Sequence, residues 1–394
     1  MRIGMILDDT FPPDPRVENE AITLIDSGHE VYLFCLSYND EVSEEIINGI
    51  QVKRYPSNKL EYKLSALAYT FPLYTSMMSK KIKKFIQETK VEALHIHDMR
   101  IAEAVFRAKK SFTISVVLDL HENRPEIMKY YPHLQKFPGK YLISTDKWKR
   151  KEEEFIQKAD KVIVVTQQAA DEIINRVGVQ KEKLVVVPNS VRKSFYRESK
   201  IDTKIADRYK KNYVVLYLGD TNLRRGLMTA IEASSKLAKE IENYKLVIVG
   251  SNTTDTVLKN KSKELNLNEY IDFEGWQDLL LFPSYIINSN VCISPLHRNL
   301  HHDTTYANKI FQYMSYGKPI VVSDAIAQKD IVEESNSGLI HKEKDVEDYT
   351  AKILELYNNR IKSAEYGNNG QKFIEEEFSW EITSKALIRL YEEI

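Results

Sequence analysis

What most constrains this chain is an alternation. Runs that are apolar nearly throughout, RIGMIL (2–7), EVYLFCL (30–36), ALHIH (93–97), SVVLDL (115–120) and KVIVVT (161–166), are separated by longer stretches of helical spacing. A strand that is apolar on both faces has to be covered on both, and parallel strands reach their neighbours only through a crossover that supplies that cover. VENEAITLIDSG (17–28) is such a crossover: its apolar residues recur at three and four, and it stops at Gly28. A second series runs NYVVLYLGD (212–220), KLVIVGS (245–251), YIDFEG (270–275), VCISPL (291–296), PIVVSD (319–324) and GLIH (338–341), with helical patterns at 227–241, 307–316 and 346–357. The pattern predicts α/β structure with doubly wound parallel sheets.

A chain of 394 residues is too long for one ordinary core. The charged stretch KSFYRESKIDTKIADRYKKN (193–212) interrupts the alternation, so the expected domains are 1–197 and 198–377. The closing FSWEITSKALIRLYEEI (378–394) reads as an amphipathic helix that either closes the second domain or crosses back to the first. A formal charge of -1 argues against bulk binding to nucleic acid. Cys35 and Cys292 lie inside apolar runs, as reduced core thiols do. MRIGMILDD is unlike a secretory leader and no apolar run reaches the ~18 residues of a membrane span, so a cytoplasmic location is expected.

In a doubly wound sheet, ligands bind beyond the carboxyl ends of the strands. LGDTNLRRGLMTAIEA (218–233) has that layout: Gly219 and Gly226 permit close backbone approach, and Arg224 and Arg225 offer planar donors suited to phosphate. A solvated loop with two surface arginines has the same spacing. Neither GxGxxG after a strand nor GxxxxGK[ST] is present, which excludes the dinucleotide and Walker fingerprints. HHDTTYANKIFQYMSYGKPIVVSD (301–324) repeats the layout, with Lys309 at a helix start; two such anion sites suggest a diphosphate. The competing reading is a helix simply capped by Asp303 or Thr304. His297, His301 and His302 have a spacing that could suit a metal, but Pro295 and Asn299 predict a loop and no Cys or carboxylate pair completes a site.

In the first half, strands end at His97–Asp98 and at Asp119, His121 and Glu122. Imidazole beside carboxylate there suits acid–base chemistry or contacts to sugar hydroxyls, although a single histidine is as often structural. YKLSALAYTFPLYTSMMSKKIKKF (62–85) is apolar and aromatic, then basic. It reads either as a core helix with a lysine-rich face or as peripheral contact with an anionic membrane.

Taken in order, these motifs resemble a GT-B glycosyltransferase of glycosyltransferase family four over nearly the whole chain. FPPDPRVENEAITLIDSGHEVYLF, ALHIHD, VLDLHE, ADKVIVVTQQAADEI, KLVVVPNSVRKSF, LGDTNLRRG, FEGW, ISPL, ANKIFQYMSYGKPIVVS and FSWE carry the likeness. The resemblance implies two doubly wound Rossmann-like domains facing a central cleft, with a C-terminal helix crossing back to the first. It implies a retaining transferase in surface polysaccharide synthesis that moves a sugar from a nucleoside-diphosphate sugar to a glycan or lipid-linked acceptor, without metal or other cofactor. Two alternatives are a non-catalytic nucleotide-sugar-binding homologue and a GT-B nucleotide-sugar epimerase.

By position, Arg225 replaces the family's phosphate-binding Lys, and Gly219 precedes it at the strand end. Asp220 stands where many members have Arg, which puts one usual phosphate contact in question. Thr305, Tyr306 and Ala307 fall in the loop facing the diphosphate, with Lys309 after them, and Gly275 and Trp276 fall near the nucleobase. His121 matches the histidine that contacts the transferred sugar, which the resemblance makes the catalytic position. Asp14, Arg16, His97, Asp98 and Glu122 are the acceptor-side candidates. Gln312 and Thr304 replace two glutamates that meet the ribose and the donor sugar. A glutamine still exchanges hydrogen bonds with ribose hydroxyls, so the expected loss is one charge-assisted bond, ~1 kcal/mol.

Overall fold

A computed structural model describes residues 1–39, 42–131, 134, 136–137 and 139–394 and divides the chain into two compact units. The first comprises Met1–Pro188 with Ser384–Ile394, and the second Asn189–Thr383.

The first unit holds β1 (Arg2–Ile6), β2 (Glu30–Ser37), β3 (Glu44–Ile47), β4 (Ile50–Pro56), β5 (Ala93–His97), β6 (Ser115–Leu120), β7 (Lys161–Val164) and β8 (Leu184–Val186). They form one sheet in the order β3-β4-β2-β1-β5-β6-β7-β8, parallel except for the β3–β4 pair. That hairpin escapes the sequence reading because EEIINGIQVKRYP has no continuous apolar run. Its signal is Asn48-Gly49, both at positive φ (51° and 83°), as a two-residue hairpin turn of the first primed type requires. The chain order reverses between β1 and β5, so the carboxyl ends of these strands flank a switch point.

The segment 62–85 resolves into a helix Lys59–Ser65, a turn, and a helix Leu73–Thr89. Met78, Ile82, Phe85 and Ile86 of the longer helix enter the core, where Phe85 meets Phe34 edge-on with ring centroids 5.8 Å apart. Burying one such side chain is worth about 1.5–3 kcal/mol, which fixes this face inward. Lys80, Lys83 and Lys84 face solvent.

In the second unit β9 (Tyr213–Leu218), β10 (Tyr244–Val249), β11 (Ile271–Gly275), β12 (Val291–Ser294), β13 (Ile320–Ser323) and β14 (Gly338–His341) form a wholly parallel sheet, ordered β11-β10-β9-β12-β13-β14. Its switch point lies between β9 and β12. All eleven expected apolar runs are strands. One expectation needs correcting. The loop predicted around His301 and His302 is a five-residue helix, Leu300–Thr304, because Asn299 caps it by accepting from His302 N at 3.0 Å.

The closing stretch is broken at Ser379 and Ser384. Residues Trp380–Thr383 stay with the second unit, where Trp380 N donates to Val191 O. The helix Lys385–Glu392 belongs to the first unit and buries Leu387, Leu390 and Tyr391 against the helix Pro15–Asp26 and β8. Leu387→Ala or Leu390→Ala should each cost about 2–5 kcal/mol in the first unit, as large-to-small core changes do. Hydrogen exchange should then show faster exchange in β7 and β8 while β9 to β14 keep their protection.

Candidate active site

In the second unit the loop after β9 is held against the loop after β12. Gly226, at φ 77°, lies so close to Pro295 that a Cβ would fall 1.6 Å from Pro295 O. No side chain larger than hydrogen fits, and the left-handed conformation excludes most residues as well. This contact sets the 3-10 turn Leu223–Arg225 and the start of the helix Leu227–Glu240, whose N-terminus has no side-chain cap.

Three cations gather on this turn. Arg225 Nε donates to Asp220 Oδ2 at 3.3 Å, and Asp220 Oδ1 accepts from Asn252 Nδ2 at 2.7 Å. Burial opposes ionisation of Asp220, but Arg225 and these hydrogen bonds outweigh it and hold its carboxyl below the usual range. Arg224 Nη1 donates to His302 Nε2 at 2.9 Å, while His302 Nδ1 lies 2.7 Å from His297 O. The ring nitrogen beside the carbonyl must carry the proton, so His302 is neutral and serves to orient Arg224. Burial and the arginines push His302 down to about 3; His301, buried beside His302, goes down to about 2.

Lys309 supplies the third cation. Its Nζ is buried, 3.5 Å from the centroid of the Tyr217 ring, and has no hydrogen-bond partner among the described residues. A Cβ on Gly219, at φ 108°, would lie 3.4 Å from this Nζ, so the ammonium rests directly on the backbone at the end of β9. Burial, then Arg225, pulls its pKa well below the ordinary lysine value. The ring face returns up to about 2 kcal/mol of cation–π energy. Desolvating an unpaired ammonium costs several kcal/mol. The imbalance favours the neutral amine when nothing faces it, and an anion beside it would restore the charge.

The other donor-side candidates are distributed as follows. Thr304 Oγ1 donates to Leu300 O at 2.7 Å, and the Thr305 hydroxyl donates to His301 O, so both hydroxyls face back into their own helix. Tyr306 packs edge-on against Phe311 and Phe378, and Ala307 is buried. Gln312 is half-buried on the helix Lys309–Ser315. That helix has no side-chain cap; Asp303 instead receives Ile326 N at 3.0 Å and pairs with Arg298. Gly275 ends β11 at φ 69°, and Trp276 beside it is 75% exposed.

In the first unit, residues from four segments meet in the interior. Asp14 caps the helix Pro15–Asp26, accepting from the amides of Arg16 and Val17 at 3.1 Å. This aims Arg16 inward, where Nε and Nη2 grip both oxygens of Asp119 at 2.9 and 2.8 Å. Nη2 also lies 2.9 Å from Glu20 Oε1, and Nη1 donates to Val187 O at 3.1 Å. His95 Nε2 is 3.2 Å from Glu20 and 3.6 Å from Asp119. His121 Nε2 is 2.9 Å from Asp119 Oδ2 and 3.2 Å from His97 Nδ1.

The cluster thus unites Arg16, His97 and His121, while Asp98 and Glu122 stand at its edge. Asp98, at φ 67° and ψ 161°, caps Met99 and pairs with Arg124, which also approaches Glu122 at 4.0 Å. Sequence reasoning misses Glu20, His95 and Tyr391. Glu20 is legible afterwards from its four-residue spacing to Arg16, and His95 from its alternation with His97. Tyr391 carries no local signal.

Glu20, His95, His97 and Asp119 present ligand atoms within 4.8 Å of one another, a spacing that could hold a metal. The Arg16 guanidinium already contacts both carboxylates, so the charge a metal would balance is balanced by the chain itself.

Burial disfavours a charged His95, but Asp119 and Glu20 outweigh it and push the ring up to about 9. The two units therefore respond oppositely to pH. His95 holds a proton that the unfolded chain releases near 6.5, so its contribution is full below that and is lost as pH rises through about 9. His301 and His302 stay neutral where the unfolded chain takes up protons, so the second unit weakens as pH falls from about 6.5 toward 3. Urea unfolding of single-tryptophan variants retaining Trp148 or Trp380 should show these opposite slopes, and His95→Gln should flatten the alkaline decline of the first.

Comparison with known proteins agrees with this layout. Residues 16–195 match the family described as Glycosyltransferase Family 4, and residues 198–373 match Glycosyl transferases group 1. An uncharacterized glycosyltransferase of Methanocaldococcus jannaschii is 24% identical over 49% of this chain, and the capsular polysaccharide biosynthesis glycosyltransferase CapM of Staphylococcus aureus is 22% identical over 48%. The chain spans about half the length of each, 48% and 50%. The phosphatidyl-myo-inositol mannosyltransferase of Mycolicibacterium smegmatis is 20% identical over 100% of this chain and 94% of its own. Sucrose-phosphate synthase from Thermosynechococcus elongatus superposes with a TM-score of 0.77 at 18% identity, covering 100% of this chain and 98% of that one. HepE of Anabaena, solved in complex with UDP, superposes at 0.73 with 15% identity and full coverage of both. With both sheets doubly wound and parallel apart from the β3–β4 pair, and both family patterns in order, the chain belongs to the group 1, family 4 glycosyltransferases of GT-B fold.

Proposed function

We propose that this chain is a retaining glycosyltransferase that moves a sugar from a nucleoside-diphosphate sugar to a glycan or lipid-linked acceptor in surface polysaccharide synthesis. One observation carries the reading: at the carboxyl ends of β9 and β12, Arg224 and Arg225 lie 4.0 and 3.3 Å from Asp220, and Lys309 beside them is buried without a hydrogen-bond partner among the described residues. A diphosphate supplies the missing negative charge and several acceptor oxygens. As the sugar's C1–O bond to the diphosphate breaks and the acceptor oxygen bonds to C1, charge grows on the departing phosphate. Fixed cations at that point lower the barrier without having to reorganise. The acceptor hydroxyl's proton ends on the leaving diphosphate.

Other roles follow from position. The backbone at Gly275 and Trp276 meets the base, and Gln312 meets the ribose. The amides of Thr305, Tyr306 and Ala307 serve the phosphates, while the Thr305 hydroxyl donates to His301 O. His121 contacts the transferred sugar, with Asp14, Arg16, His97, Asp98 and Glu122 on the acceptor side, although Asp14 and Arg16 act there by shaping the cluster. No metal or other cofactor is required by this scheme. Names of relatives support it: one is a capsular polysaccharide enzyme, another a phosphatidylinositol mannosyltransferase.

A cytoplasmic protein acting on lipid-linked acceptors works at the inner face of the membrane. Tyr62, Phe71 and Leu73 are exposed, with Lys63, on the segment 62–85 that the sequence marks as apolar and then basic, and Lys59 and Leu60 are exposed just before it. No helix among the described residues is long and apolar enough to cross a membrane. The contact proposed for 62–85 is peripheral.

Arg225→Ala should lower transfer more than tenfold in assays of nucleotide-sugars against an acceptor panel; unchanged transfer would reject its role. Gln312→Glu separates a working variant from a decayed one, since only a decayed site should gain strongly. Interconversion of nucleotide-sugars in an acceptor-free tube would replace this reading with an epimerase. At low salt the protein should sediment with anionic vesicles and not with zwitterionic ones; failure to do so removes the membrane contact.

A further inference from the structure

The buried cluster of the first unit extends from the C-terminal helix to the one histidine of the cluster that reaches the surface. Tyr391 Oη lies 2.9 Å from His95 Nδ1, and His95 Nε2 lies 3.2 Å from Glu20 Oε2. Glu20 Oε1 is 2.9 Å from Arg16 Nη2, which grips Asp119 Oδ1 at 2.8 Å, and Asp119 Oδ2 is 2.9 Å from His121 Nε2. Tyr391, His95, Glu20, Arg16 and Asp119 are all buried; the His121 side chain alone is 22% exposed.

We propose that Tyr391 is a positioning residue for transfer, acting through His95, Glu20, Arg16 and Asp119 to set the orientation and charge of His121. The inference rests on reading His121 as the residue that meets the transferred sugar.

The geometry leaves His121 little freedom. Asp119 takes the Nε2 proton, so Nδ1 is the ring nitrogen left to face a ligand. His97 lies between the other two imidazoles, stacked on His95 with centroids 4.5 Å apart and edge-on to His121 at 5.3 Å. Burial, then His95, lowers the pKa of His97, whose Nδ1 lies 3.2 Å from His121 Nε2 and 3.5 Å from Asp119 Oδ2. The groups facing His121 are Asp119 on β6, His97 and Asp98 at the end of β5, and Arg16 from the helix Pro15–Asp26. Burial opposes a charged His121, but Asp119 outweighs it and raises its pKa. In so dry a cluster a change in charge at one member is felt by the rest.

A protonated His95 donates from Nδ1 to Tyr391 Oη and from Nε2 toward Glu20. Tyr391→Phe removes that Nδ1 acceptor and keeps the ring, so His95 gives up its proton more easily. With one positive charge fewer nearby, His121 keeps its own proton to higher pH.

The test is an NMR titration of the full-length protein with 15N-labelled histidine, beside the pH profile of transfer. The expected parent shows His121 with its proton fixed on Nε2 and a midpoint above the ordinary value of about 6.5. In folded Tyr391→Phe that midpoint should rise by about half a pH unit or more, and the alkaline limb of transfer should move with it. Curves that superimpose on the parent, or that shift downward, would overturn the proposal. If Tyr391→Phe does not fold, the parent decides: mixed tautomers with an ordinary midpoint overturn it, and a fixed tautomer with a raised midpoint supports it. Absence of turnover with every nucleotide-sugar would count against the transferase reading, whereas the titration reads the coupling of Tyr391 to His121 without any substrate.

Discussion

An ammonium group buried against an aromatic ring is an expensive thing for a protein to keep. Lys309 sits on the backbone of Gly219 and over Tyr217, beside Arg225, with no hydrogen-bond partner among the described residues. Val214, Leu216 and Leu218 of β9 pack with Cys292 of β12 in an apolar cluster. The turn that brings Arg224 and Arg225 alongside exists because Gly226 lets the chain touch Pro295. Sheet topology, one glycine and one lysine together make a local excess of positive charge at a switch point, where a doubly wound sheet leaves its strand ends uncovered.

The two units treat charge in opposite ways. In the second, the carboxylate available to neutralise the cations is occupied with orienting one arginine, so charge is left for a ligand. In the first, Arg16 and His95 answer Asp119 and Glu20 closely, and the cluster is nearly self-sufficient. Its remaining outlet is His121. A self-balanced cluster of this kind can hold one imidazole in a fixed orientation without binding anything itself, as the role proposed for His121 requires.

Much of this was legible in the sequence because burial on both faces writes itself as unbroken apolar runs. The same physics concealed the β3–β4 hairpin, whose outer strand is exposed and whose only mark is Asn48-Gly49. The placement of Arg225, Lys309 and His121 just beyond strand ends was legible because apolar runs and glycines mark where those strands stop. What Asp220 does could not be found, since an acid in a phosphate loop reads as a loss until Asn252 and Arg225 are seen to share it. That the hydroxyls of Thr304 and Thr305 are bonded to the carbonyls of Leu300 and His301 is likewise not announced by the sequence. Tyr391 was out of reach: it lies 296 residues from the histidine it touches, and only tertiary packing joins them.

The claim on which the functional account stands is that the cations around Gly219 bind a nucleoside diphosphate. Calorimetric titration with UDP, GDP and ADP, with CMP as a monophosphate control, addresses it directly. The account predicts that one diphosphate binds selectively, with an affinity that weakens as salt is added and that falls sharply in Lys309→Met. Absence of binding by every nucleotide, or binding that Lys309→Met leaves unchanged, would contradict it.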